Sequence, residues 1–113
     1  MIVTQKNAEY YQWGDHCEGW QLLKQPKVSV IQERMPSGTQ EIKHYHNQAE
    51  QFFFVLEGKL LIEIDGKEYN LNPKDGLYIP PKTKHQVKNI SEKVVEFLVV
   101  SAPPSHRDRI VDL

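Results

Sequence analysis

The chain has 113 residues, of which 39% are hydrophobic and 26% charged, a composition typical of one globular domain rather than of a disordered or fibrous chain. Fourteen basic and fifteen acidic residues give a net charge of −1, so the whole molecule has no general attraction for nucleic acid or for an anionic membrane. The single cysteine, Cys17, excludes an internal disulfide, and no stretch approaches 18 consecutive apolar residues. We therefore expect a cytoplasmic protein.

In chain order, residues 1–26 come first, and they carry several large aromatic side chains without a periodic apolar pattern. We expect them to form an irregular or extended segment that packs on the main domain or on a partner subunit. The main domain is predicted to span residues 27–104. The polar tail, residues 105–113, is expected to be frayed.

Almost every segment of the main domain has strand character. Runs rich in β-branched and aromatic residues are separated by clusters of Pro, Gly, Asn and Asp about every 8–12 residues. This spacing is typical of an all-β sandwich or barrel. The predicted strands are 27–35, 42–46, 51–56, 60–64, 67–71, 77–79, 85–89 and 94–100.

Two histidines one residue apart, His44 and His46, lie in the second of these strands. On a strand, residues i and i+2 point to the same face, whereas on a helix they would lie about 200° apart. The two imidazoles can therefore be directed into one cavity, as a metal ion would require. By itself the pair is equally compatible with a histidine-rich strand at the surface.

The surrounding residues form two motifs. Five residues separate Gly38 from His44, and Gly58 follows at the end of the next predicted strand. Further along, Pro80 precedes His85 by five residues, and Asn89 follows it by four.

This arrangement resembles the two motifs of the cupin family, and the resemblance covers residues from about 28 to 101. It implies an all-β fold, the double-stranded β-helix or jelly-roll barrel. It also implies a metal site inside the mouth of the barrel, with His44, His46 and His85 as ligands.

The fourth cupin ligand is a glutamate, and here the sequence departs from the pattern. The motif places six residues between this ligand and the closing Gly58, which makes it Gln51, with Glu50 beside it. A shift of one residue turns a side chain to the opposite face of a strand, so the register favours Gln51 as the fourth ligand, through its amide oxygen. Glu50 remains the alternative. Two glycines of the second motif are also replaced, by Lys74 and Lys82.

Three imidazoles and one oxygen suit a divalent transition metal ion, which could be Zn, Ni, Fe, Mn, Co or Cu. Because an amide brings no charge, the ion would remain a stronger Lewis acid and would favour an anionic or enolate-forming ligand. A relic site that no longer binds metal is the alternative interpretation of the three histidines.

The expected function is that of a small metal-dependent enzyme, of lyase, isomerase, cyclase or oxygenase type, acting on a small carbonyl, enol or anionic substrate in an apolar pocket. No general base is assigned. The alternative is a non-catalytic small-molecule-binding or sensor cupin.

The strand that carries Gln51 also has an outward face. If Gln51 points inward, then Phe52, Phe54 and Leu56 face outward and need cover, which favours a homodimer.

Overall fold

The computed structural model describes residues 1–112, and these residues form antiparallel strands with no helix, so none of them belongs to a helix that could cross a membrane. The strands are β1 (Glu9–Trp13), β2 (Cys17–Lys24), β3 (Ser29–Met35), β4 (His44–His46), β5 (Glu50–Glu57), β6 (Leu60–Ile64), β7 (Lys67–Leu71), β8 (Gly76–Ile79), β9 (His85–Lys88), β10 (Val95–Ala102) and β11 (Arg109–Val111).

The strands form two sheets of a jelly-roll barrel. One sheet has the order β1-β2-β3-β10-β5-β8, and the other has the order β11-β4-β9-β6-β7. This confirms the fold predicted from the two motifs. Period-two burial is clearest in β10, where Val95, Phe97, Val99 and Ser101 are buried and the intervening residues are partly exposed.

The apolar core fills the barrel next to the histidines. Val55, Ile62, Val87 and Phe97 are at most 1% exposed. The Phe53 ring lies 6.0 Å from the Phe97 ring and 6.4 Å from the His85 ring, measured between centroids. Phe53 thus joins the core to the histidine cluster.

The N-terminal residues are more ordered than the sequence suggests. Strands β1 and β2 form a hairpin that extends the six-stranded sheet through β3. On the outer face of this hairpin, the rings of Tyr10 and Trp20 pack 5.5 Å apart. The hairpin was missed because aromatic residues occupy both faces of β1, which hides the alternation of apolar and polar residues.

The tail also differs from the expected frayed segment. Strand β11 pairs with β4, so that Arg109 lies opposite His46. The Asp108 carboxylate accepts hydrogen bonds from the backbone N–H groups of Asn47, Gln48 and Ala49, at 3.1, 2.8 and 2.9 Å. The polar composition of the tail did not indicate that it is ordered. The order comes from backbone pairing with β4 and from the Asp108 carboxylate. Residue 113 lies outside the described part of the chain.

Candidate metal centre

Three histidines meet on the five-stranded sheet. His44 and His46 lie on β4, and His85 lies directly opposite His44 on β9. Their ring centroids are 4.5–5.8 Å apart, and one nitrogen from each ring lies within 4.8 Å of the others. All three side chains are buried.

Backbone carbonyls orient two of the rings. The Nδ1 atom of His44 lies 2.7 Å from the Ile42 carbonyl oxygen, and the Nδ1 atom of His85 lies 2.9 Å from the Thr83 carbonyl oxygen. A carbonyl oxygen can only accept, so each Nδ1 carries the proton and each Nε2 keeps its lone pair. The Nε2 of His85 and both ring nitrogens of His46 are buried without a partner.

The imidazoles are held neutral. Burial lowers the pKa of His44 to about 3, and the His85 ring and the Arg109 guanidinium add to this effect. Burial and the neighbouring His85 ring lower the pKa of His46 to about 4. Burial also lowers the pKa of His85. At neutral pH all three rings therefore present lone pairs rather than protons to their common centre.

Gln51 completes the polar cluster from the other sheet. Its side chain is buried, and its Nε2 donates to the Ser101 Oγ at 3.0 Å and to the Ser105 Oγ at 3.4 Å. These bonds leave Oε1 buried and unpartnered. The neighbouring Glu50 is exposed on the opposite face of β5, beside Tyr78.

The unpartnered atoms fit a metal ion. A buried polar atom normally has a hydrogen-bond partner, because leaving one unpaired costs about 1–3 kcal/mol. Here both ring nitrogens of His46, the Nε2 of His85 and the Oε1 of Gln51 lack a partner. Together with His44, these residues provide the neutral nitrogen and oxygen donors that divalent transition metals bind.

A cavity of about 420 Å³ opens beside the cluster, and its walls include His44, His46, Gln51 and Phe53. This volume is in the range that holds a small organic ligand. A molecule in the cavity would reach the side of the cluster that the protein leaves open.

Two carboxylic acids, Glu33 and Glu41, also line this cavity. Burial raises the pKa of Glu33 to about 7, although Tyr11, Arg109 and Trp13 favour its charged form. Burial and the Glu33 charge raise the pKa of Glu41 to about 8, and Arg109 acts against them.

Residues 31–101 match the profile of the Cupin domain family. The chain belongs to the cupin family.

This cupin is similar to proteins of comparable size and to larger proteins. An uncharacterized protein of Methanocaldococcus jannaschii is 34% identical over 88 residues, which cover 77% of this chain and 70% of that protein. Quercetin 2,3-dioxygenase of Bacillus subtilis is 36% identical over 59 residues, or 52% of this chain and 18% of the dioxygenase. The solved structure of KdgF from Halomonas sp. superimposes with a TM-score of 0.85 over 95% of this chain and 96% of KdgF, at 16% identity, which shows a common fold alone.

The cupin motifs locate the histidines but not the carboxylic acids. The sequence did not decide which face of β3 carries Glu33, since both faces of this strand hold apolar and polar residues. Tyr78 is 51% exposed outside the barrel. His106, expected to lie in the frayed tail, is one of the residues that line the cavity. The sequence did not indicate that Glu41 belongs to the site, because its position depends on the turn that leads into β4.

Proposed function

We propose that this cupin binds one divalent transition metal ion through His44, His46, Gln51 and His85, and that it acts as a small metal-dependent enzyme. The substrate would be a small carbonyl, enol or anionic compound. The observation that carries this proposal is the convergence of neutral imidazoles and an unpartnered amide oxygen beside an open cavity. The similarity to quercetin 2,3-dioxygenase, an enzyme, supports the proposal that this chain is also catalytic.

When bound, the metal would supply Lewis acidity to a substrate oxygen in the cavity. The chain's own residues have separate tasks. The backbone carbonyls of Ile42 and Thr83 fix the tautomers of two imidazoles, and Ser101 fixes the Gln51 amide. Phe53 and Val99 make part of the cavity wall apolar, which excludes water and strengthens electrostatic interactions within it.

We also propose a homodimer in the cytoplasm. A row of apolar residues crosses the outer face of the six-stranded sheet, because the strand registers align Leu23, Val30, Val100, Phe52 and Tyr78. Three of them, Leu23, Phe52 and Tyr78, are at least 40% exposed. A second copy would cover this row. Cys17 is buried in the core and free, which suits a reducing compartment.

Metal analysis of the purified protein tests the proposed site. We expect close to one transition metal ion per chain, measured by inductively coupled plasma mass spectrometry. His85→Ala should abolish binding because it removes one of three imidazoles. Gln51→Glu should tighten binding, since it adds a negative charge beside the cation. The matched control is Glu50→Gln, which alters an exposed residue next to Gln51 and should leave the metal content unchanged.

No bound metal in wild-type protein, even after incubation with each candidate ion, would refute the proposed enzyme. Loss of metal in Glu50→Gln with normal binding in Gln51→Ala would show instead that Glu50 is the fourth ligand. Full metal occupancy without turnover of any enolisable substrate would favour the sensor alternative.

A further inference from the structure

A second set of polar groups lies across the cavity from the histidines. Glu33 is on the inner face of β3, in the six-stranded sheet, whereas His44, His46 and His85 lie on β4 and β9 of the other sheet. Facing sheets are about 10 Å apart. Glu33 lines the same cavity as His44 and His46, with room for a small ligand between them.

Gly19, opposite Glu33 on β2, leaves room for the Tyr11 ring beside Glu33. Gly19 pairs with Glu33 across β2 and β3, and it pairs with Tyr11 across β1 and β2. A side chain at position 19 would overlap the Tyr11 ring. The missing Cβ therefore lets Tyr11 lie over Gly19, with its hydroxyl toward the Glu33 carboxylate.

The other groups that face Glu33 define its environment. Trp13 lies near the carboxylate and favours its charged form, although its indole N–H makes no hydrogen bond. The remaining charged or titratable neighbours are Glu41, Arg109 and the Cys17 thiol. The Glu33 side chain is only partly buried and lines the cavity, so its carboxyl faces the space in which a ligand would lie.

We propose that Glu33 is the acid–base residue of this site, and that Tyr11 is a positioning residue that orients its carboxylate. The inference rests on the proposed function. A substrate whose oxygen is held on the histidine side loses a proton from carbon, as the C–H bond breaks and an O–H bond forms on Glu33. The electron pair remains on the substrate as an enolate. Return of the proton to another atom of the substrate completes an isomerisation without an oxidant.

Glu33 suits this role better than its neighbours. Gln51 cannot accept a proton at neutral pH, and the three imidazole lone pairs converge on one another. Glu41 lies against the cluster, with Oε1 3.9 Å from His44 Nδ1. The pKa of Glu33, raised to about 7 by burial, leaves comparable amounts of base and acid at neutral pH, where general acid–base catalysis is most effective.

Proton exchange in a simple 2-oxo acid tests the proposal. With Co²⁺-loaded protein in D₂O, we expect the methyl protons of pyruvate to exchange faster than with Co²⁺ alone, as measured by ¹H NMR. Glu33→Gln should slow this exchange at least about 100-fold, with the same Co²⁺ content and the same change of the Co²⁺ visible spectrum on addition of pyruvate. The matched control, Glu96→Gln, alters a glutamate on the outer face of the same sheet and should leave the rate unchanged.

The protonation of Glu33 is also measurable without metal, by ¹³C NMR of carboxyl-labelled glutamate. We expect one resonance to titrate near pH 7 and to disappear in Glu33→Gln. Tyr11→Phe should move its midpoint upward, because the hydroxyl favours the charged carboxylate.

The two proposals fail differently. Equal exchange rates in wild type and Glu33→Gln, or metal and pyruvate binding without exchange in the wild type, would overturn the role of Glu33. So would a Glu33 carboxyl that titrates near its ordinary pKa of 4.5. Absence of Co²⁺ binding with a Glu33 titration near pH 7 would instead refute the metal site and leave the acid–base group intact.

Discussion

Lys82 has a backbone φ of 65°, and Lys74 has a φ of 74°, both in the left-handed region that favours glycine. These are the two positions where lysine replaces a glycine of the second cupin motif. The chain thus keeps the turn geometry while carrying a residue that does not prefer it. The Lys82 N–H donates to the His46 carbonyl at 2.6 Å, so the turn is tied to the histidine strand.

Lys82→Gly should therefore stabilise the protein. Relief of the left-handed strain is worth about 1–2 kcal/mol, and the greater flexibility of glycine in the unfolded chain offsets about half of it. We expect the free energy of unfolding to rise by about 0.5–1 kcal/mol in urea titrations. Lys59→Gly, at an exposed position without positive φ, is the control and should give no gain. A decrease for Lys82→Gly would mean that its side chain stabilises the turn.

Two residues of the site show what could and what could not be predicted from the sequence. The inward direction of Gln51 could be predicted, because it follows from counting along one strand to Gly58. Glu33 could not be assigned to a face, because Glu33 shares the inner face with apolar Ile31 while apolar Val30 lies outside. Hydrophobic parity does not identify a polar cavity wall, since such a wall requires buried polar residues.

At the scale of elements, the predicted main-domain strands agree closely with β3 to β10, whose turn clusters are plain in the sequence. The two strands at the start and the strand at the end were not predicted. The short β11 depends on a distant partner, β4, and no local propensity encodes that pairing. Long-range contact, rather than local preference, orders the C-terminal segment.

Asp108→Ala should reveal how strongly this segment is anchored. Burial disfavours the Asp108 carboxylate, but the N–H groups of Ala49, Gln48 and Asn47 outweigh it and lower the pKa below 3.8. The stabilisation is therefore present above about pH 3.8 and is lost as pH falls through the folded-state pKa. We expect a loss of about 1–3 kcal/mol at pH 7 in urea unfolding, and a smaller difference at pH 3.

The matched control for this prediction is Asp112→Ala in the same segment. Asp112 makes only a partly exposed ion pair with Lys84 at 3.3 Å, which should be worth less than about 1 kcal/mol. Equal losses for the two variants, or an Asp108→Ala loss that does not change with pH, would contradict the anchoring role.

At the scale of the whole molecule, the two outer faces differ in character. The six-stranded sheet exposes the apolar row that includes Phe52 and Tyr78. The five-stranded sheet carries ion pairs, with Glu63 3.1 Å from Lys88 and 3.6 Å from Lys43. On the six-stranded sheet, the ion pairs of Arg34 with Glu18 and Glu96 lie in a separate row of the register, away from the apolar residues. This difference suits a dimer formed through the first face, with the second face in water.

Phe52→Lys should disrupt that dimer, because it places a charge in the middle of the apolar row. We expect light scattering coupled to size exclusion to give twice the chain mass for the wild type and a single chain mass for the variant. Ile90→Lys is the control, since Ile90 is 71% exposed in a turn outside the row, and it should remain dimeric. A monomeric wild type would refute the dimer.

The carbonyl bonds that fix the His44 and His85 rings come from residues only two positions earlier in the chain. The segments that lead into β4 and β9 therefore orient the rings before any ion binds. A zinc finger needs its metal in order to fold, whereas such a barrel would fold, with its ligands in position, before an ion binds. An ion could then be exchanged for another without unfolding, so the metals available in the cell would decide which chemistry the protein performs.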